Sequence, residues 1–308
     1  MTQEQLFKNL QVPAGRADMI LDTDAYNEID DQFAIAYALR SPEKINTVGI
    51  CAAPFLNEKS VSPEDGMLKS FDEIHKIVDL CGCAEQLTDR IFKGSRSYLP
   101  DESTPVESEA ADFIVKTAMR YTADNPLYVV AIGAITNVAS AIIKEPAIKD
   151  KIVIVWLGGH ALHWSDTAEF NMRQDVAAAR VVFGCGAPLI QLPCMGVVSE
   201  ARTTGPELTY WLKGENSNPL SVYLADNTIA EAESYAKGSP WSRVIWDITA
   251  VAWLINDDYR FLNGRQERSP IPEYDDHYGY DSGRHFIFYV DHVDRDALFA
   301  DLFEKLLR

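Results

Sequence analysis

The feature that most constrains this chain is a run of carboxylates, Asp22, Asp24, Glu28, Asp30 and Asp31, set where a hydrophobic stretch from Met19 to Leu21 hands over to an apolar-periodic segment from Phe33 to Leu39. No Lys or Arg stands among them. Like charges this crowded repel one another, and keeping them ionised in a partly dry cleft is costly unless a cation or strong donors compensate. Two of them have a simpler use: acids at a helix start cap free amides and complement the macrodipole, which would account for Asp30 and Asp31. The strand before them argues for more. Alternation along an extended chain puts Asp22 and Asp24 on one side with Thr23 opposite. Both acids then turn toward the carboxyl end of a strand, where open α/β sheets bind ligands.

The remaining sequence predicts such a sheet. β-rich runs over 19–24, 47–53, 127–133, 152–158 and 189–193 alternate with segments of helical period over 66–80, 107–120, 137–143 and 176–183. The stretches IVIVWLGG and LYVVAIG are apolar almost throughout, as central parallel strands covered on both faces are. The expected fold is α/β, a doubly wound, mostly parallel central sheet with helical lid segments. The more polar, helical region at about 203–243 is read as the lid over the strand ends. A β-like run at 285–290 and an amphipathic helix at 296–307 follow. With 308 residues, no low-complexity linker and no internal repeat, a single domain over 1–308 is expected.

Composition excludes several roles. Lys and Arg number 28 against 46 Asp and Glu, and the net charge of −18 repels a phosphate backbone, so nucleic acid is not an expected partner. No apolar run approaches the roughly 18 residues that cross a bilayer, so no membrane span is expected. The start MTQEQLFKNLQVP lacks the basic and apolar parts of a secretory signal, which makes the cytoplasm the expected location. Cys51, Cys81, Cys83, Cys185 and Cys194 are odd in number and irregularly spaced; they read as reduced thiols, and the close pair Cys81 and Cys83 has no His nearby to complete a zinc site.

The acidic run has companions in a specific order: Asp22-Thr23-Asp24 with Asp30-Asp31, then Gly133-Ala134-Ile135-Thr136-Asn137, then Ala168-Glu169-Phe170-Asn171, then Trp246-Asp247. Together they resemble the inosine-uridine nucleoside hydrolase family. The resemblance implies a calcium-dependent enzyme that replaces the base of a ribonucleoside by water, giving ribose and free base. Calcium takes six to eight hard oxygen ligands, which suits carboxylates, a backbone carbonyl and sugar hydroxyls. Carried across by position, Asp24, Asp31, Asp247 and the carbonyl of Ile132 would hold the ion, and Asp24 would be the general base that activates a water at the metal. Asp30, Glu169 and Asn171 would bind the ribose hydroxyls and favour an oxocarbenium-like transition state. Trp246 stands where many relatives place a proton-donating His; its indole can stack on a purine, so the resemblance leans toward purine nucleosides. It also implies a homodimer or homotetramer.

The pattern breaks in three places. Between Asp24 and Asp30 the chain has Ala25-Tyr26-Asn27-Glu28-Ile29, two residues more than the family loop and without its Pro and Gly. The second strand ends in Ala52-Ala53-Pro54-Phe55, where relatives commonly supply a ribose-contacting Asn, with Asn57 as a substitute nearby. His163 falls where another sugar-binding Asn is expected, able to donate to a hydroxyl or protonate a leaving group, with His160 as the neighbouring alternative. These departures leave three readings to separate: a nucleosidase acting on ordinary or modified N-ribosides, a calcium-dependent riboside-binding protein without turnover, and an acidic α/β protein with no metal.

Overall fold

In the computed structural model, which describes residues 1–308, eight strands form the central sheet: β1 (Ala17–Thr23), β2 (Ile45–Ala52), β3 (Ile91–Lys93), β4 (Leu127–Ala131), β5 (Ile152–Leu157), β6 (Leu189–Leu192), β7 (Leu262–Arg268) and β8 (Phe286–Val293). Their spatial order is β3-β2-β1-β4-β5-β6-β8-β7. Neighbours run parallel except β7, which pairs antiparallel with β8 at one edge. The chain leaves β1 toward β2 and β3, then crosses back to add β4 on the other side of β1. That reversal makes a crevice at the carboxyl ends of β1 and β4.

Apolar alternation on the central strands covers both faces. Met19, Leu21, Val130 and Val155 belong to the larger of two buried clusters, whereas Ile20, Val129 and Ile154 belong to the smaller one behind the sheet. On the larger face lie α1 (Asp30–Leu39), α2 (Pro63–Leu80) and α7 (Ile248–Leu254), the first packed against both others; α3 (Thr136–Lys144) follows β4 on the opposite face. The short α4 (Phe170–Gln174) lies beyond β5.

The segment expected to be a lid contains α5 (Gly205–Leu212) and α6 (Pro219–Ala236), bracketed by a two-stranded ribbon in which Arg202–Thr203 pairs with Arg243–Val244. It is not a loose flap. Leu208, Leu212, Leu220 and Leu224 join the same apolar cluster as Met19 and Leu21, so the lid helices share the main core. Each expected strand and helix is present with ends shifted by a few residues. Two strands of the central sheet escaped the sequence reading: β3 is three residues long, and β7 carries the polar sequence LNGRQER with mostly exposed side chains. No helix is long and apolar enough to cross a membrane.

Candidate active site

The acidic run gathers where the connections from β1 and β4 diverge. Asp24 follows the last residue of β1, and a Cβ added to Gly133, two residues past β4, would stand 2.8 Å from Asp24 Oδ1. Glycine is required there by close approach. Asp30 and Asp31 open α1, but neither caps it: the N-cap is Ile29, with no side-chain hydrogen bond. Their carboxylates are spent on tertiary contacts instead. Asp30 Oδ2 accepts from the Trp246 amide at 3.1 Å, and Asp31 Oδ1 accepts from Thr23 Oγ1 at 2.5 Å. One oxygen each from Asp30, Asp31 and Asp247 lies within 4.8 Å of the others. The Ile132 carbonyl faces the same end and accepts from Asn171 Nδ2 at 3.1 Å, the amide that also donates to Leu157 O at 3.1 Å and so ties β4 to β5.

Asp22, Asp24, Asp30, Asp31 and Asp247 are all buried. Both oxygens of Asp24, Oδ2 of Asp22 and Oδ1 of Asp30 have no hydrogen-bond partner in the chain. Burial, reinforced by repulsion from Asp31, holds the Asp24 carboxyl well above the ordinary range; burial and repulsion from Glu28 do the same to Asp30, and burial with Asp30 beside it to Asp247. Burial pushes Asp31 up to about 7 against the Thr23 hydrogen bond, and Asp22 up to about 7 against that from Asn137. Buried acids this crowded and this short of donors suit a hard divalent cation, and their all-oxygen chemistry suits calcium-like ions over thiophilic ones. The residues present fit such an ion. The three oxygens that meet most closely come from Asp30, Asp31 and Asp247; sequence reasoning had given Asp30 to the sugar, and Asp24, buried close enough to Asp31 and Asp30 to be repelled by both, neither joins the three nor lines the cavity above them.

A cavity of about 210 Å³ opens above the cluster, walled by Asn27, Glu28, Asp30, Asp31, Asn171 and Trp246 among others. Glu169 also lines it, but as the N-cap of α4: Oε1 accepts from the Asn171 amide at 2.9 Å, and Oε2 from the Gly159 and Met172 amides at 2.9 Å each. His163 does not line the cavity. It is exposed, because Ala161 N bonds Met195 O, Leu162 N bonds the Tyr289 hydroxyl, and the chain then turns outward. His160 occupies the wall in its place. Its Nδ1 accepts from the Met195 amide at 3.3 Å, which assigns the proton to Nε2, 4.0 Å from Asp166 Oδ1. Burial lowers its pKa, against the pull of Asp166, which favours the neutral ring. Asn57 stands outside the wall and donates to Asn27 Oδ1 at 2.7 Å, supporting the lengthened loop rather than meeting a ligand. Asn27, Cys194 and Met195 in the wall were not anticipated; the last two sit just past β6, at the strand end where a doubly wound sheet places its ligand contacts. A larger surface groove of about 900 Å³ lies by Asp18, at the start of β1, where no such unpartnered acids converge.

Comparison with known proteins agrees with this geometry. A family model described as inosine-uridine preferring nucleoside hydrolase matches residues 19–271. The pyrimidine-specific ribonucleoside hydrolase RihA of Salmonella typhimurium is 25% identical over 256 residues, covering 78% of this chain and 80% of the relative. Among solved structures, a purine-preferring ribonucleoside hydrolase from Gardnerella vaginalis superposes with a TM-score of 0.73 at 23% identity, covering 94% of this chain and 98% of the other. The plant nucleoside hydrolase PpNRh1 does so with a TM-score of 0.73 at 19% identity, covering 96% and 99%. The two superpositions show a shared fold, and the sequence match extends across β1, the acidic run, α4 and Asp247: the chain belongs to the inosine-uridine preferring nucleoside hydrolase family, hydrolases acting on N-glycosyl compounds.

Proposed function

We propose that this protein hydrolyses the N-glycosidic bond of ribonucleosides with calcium as its cofactor and with a lean toward purines. The observation that carries the reading is the convergence of Asp30, Asp31 and Asp247, beside the unpartnered Asp24, beneath a cavity at the β1/β4 crevice. The cavity, about 210 Å³, is below the roughly 300 Å³ at which pockets for drug-sized ligands begin, so it suits the sugar and leaves the base toward Trp246. Calcium, when bound by Asp24, Asp31, Asp247 and the Ile132 carbonyl, would offset the crowded negative charge and make water easier to deprotonate.

The chain's own groups divide the work. Asp24 takes a proton from the attacking water as the oxygen bonds to the anomeric carbon; the carbon–nitrogen bond breaks, its electron pair leaves with the base, and the base takes a proton from solvent water at the cavity mouth. Asp30, the free amide oxygen of Asn171 and Oε1 of Glu169 accept from ribose hydroxyls and orient the ring. Burial of negative charge beneath the sugar favours the positive charge that develops on it. The Trp246 indole supplies a flat face for a purine.

The test is ribose release from inosine with calcium present. Turnover is expected, to be lost with EDTA, and to fall by about 10²–10⁴-fold in Asp24→Ala, the range for losing a general base. Heat of binding without ribose formation, measured by calorimetry across purine and pyrimidine nucleosides, would instead identify a riboside-binding protein.

A further inference from the structure

The lengthened loop between β1 and α1 brings into the cavity wall a charged side chain that the proposed reaction does not use. Glu28 lines the cavity in company with Asn27 and Trp246. Its Oε2 accepts from Arg243 Nη2 at 2.9 Å, and the same nitrogen is held by Glu231 Oε1 of α6 at 3.1 Å. Arg243 is 17% exposed and belongs to the ribbon strand that leads into Trp246. Lys59 Nζ, 4.0 Å from Glu231 Oε2, donates to Asn27 O at 2.8 Å, and Asn57 donates to Asn27 Oδ1 at 2.7 Å. The loop is therefore fastened at two adjacent residues, Asn27 and Glu28, and the Glu28 carboxylate is oriented by an arginine that is itself oriented by the lid helix. Oε1 of Glu28 has no partner within the chain. An ionised carboxylate is acceptor only, so what it meets must bring an N–H or O–H.

The ribose hydroxyls already have acceptors in Asp30, Asn171 and Glu169. On the Trp246 side, the remaining ligand chemistry is the edge of the base. We infer that Glu28 reads that edge and selects ribosides whose base presents a lactam N–H, as hypoxanthine, guanine and uracil do, with Arg243 as its positioning residue. A base with a bare ring nitrogen at that place turns a lone pair toward the carboxylate, which is 40% exposed, and is disfavoured by that repulsion and by the lost hydrogen bond. The inference rests on the hydrolase reading above.

The test compares kcat/KM for inosine and for purine riboside, which keeps the sugar and ring skeleton but lacks the lactam, in the wild type, Glu28→Ala and Glu28→Gln with calcium present. The inosine to purine riboside ratio is expected to fall by about tenfold or more in Glu28→Ala, the scale of one hydrogen bond to a charged group. Glu28→Gln, whose amide oxygen still accepts, is expected to keep an intermediate ratio. A ratio unchanged in Glu28→Ala overturns the assignment, as does an equal loss on both substrates. If the wild type turns over neither riboside, the hydrolase reading fails, and the ratio of Kd values from calorimetry decides the role of Glu28 separately; an unchanged Kd ratio, or binding of neither riboside, overturns it.

Discussion

At the scale of single residues, the site depends on what is missing as much as on what is present. Gly133 lets the chain pass Asp24 at a distance no side chain tolerates, with the added Cβ only 2.8 Å from Asp24 Oδ1. Gly133→Ala is expected to displace the Asp24 carboxylate, lowering stability by about 1–3 kcal/mol as overpacking does and reducing ribose release well beyond what that loss explains. Denaturant unfolding and initial rates measured on the same preparation check the two effects. The family resemblance put Asp24, Asp31 and Asp247 together, and the structure brings Asp31 and Asp247 together with Asp30. The resemblance misplaced the imidazole: His163 matched the interval, but the hydrogen bonds of Ala161 and Leu162 turn the chain before it and leave His160 inside. Interval counting has no access to a turn made by partners on β8 and the loop after β6. Nor does it show that Glu169, expected at the sugar, already holds three backbone amides.

At the scale of elements, the ion pairs around Arg243 join three pieces that are far apart in sequence: the 25–29 loop, the ribbon and α6. Arg243→Gln removes the cation from between Glu28 and Glu231. The expected cost is about 1–2 kcal/mol, between an exposed pair and a buried one, since the guanidinium is mostly covered while its acids are partly solvated. Hydrogen exchange should quicken in the loop and in α6 and stay unchanged in β4 and β5; uniform acceleration would contradict a local role. The central strands and their helices were readable from periodicity because both faces of the sheet are apolar. The edge was not: β7 is held by pairing to β8 and by Asn256, whose side chain meets Phe261 and Leu262, rather than by a pattern of its own.

At the scale of the whole molecule, the buried acids make stability depend on pH and on the ion together. Asp22 and Asp31, raised to about 7, bind protons in the native state at a pH where the unfolded chain has released them. Their contribution without metal is therefore full below the unfolded carboxylate value near 3.8, is mostly lost by pH 6.5, and its remainder goes as pH rises from 6.5 to 8.5 through about 7. With EDTA, Tm is expected to fall across that window. On the proposed reading, added calcium is expected to reverse the trend by binding the deprotonated acids, adding about 2.7 kcal/mol at 100 times its Kd and more at pH 8.5 than at 6.5. A Tm indifferent to EDTA at pH 8.5 would rule out a structural ion. Asp30 and the Trp246 amide that meets it are 216 residues apart. On the ribosome, the early acids therefore emerge long before Asp247, and the nascent chain has only half a chelate. Tight capture of the proposed ion would therefore wait until the last third of the protein has been made, and ion occupancy is expected to report completed synthesis rather than early folding.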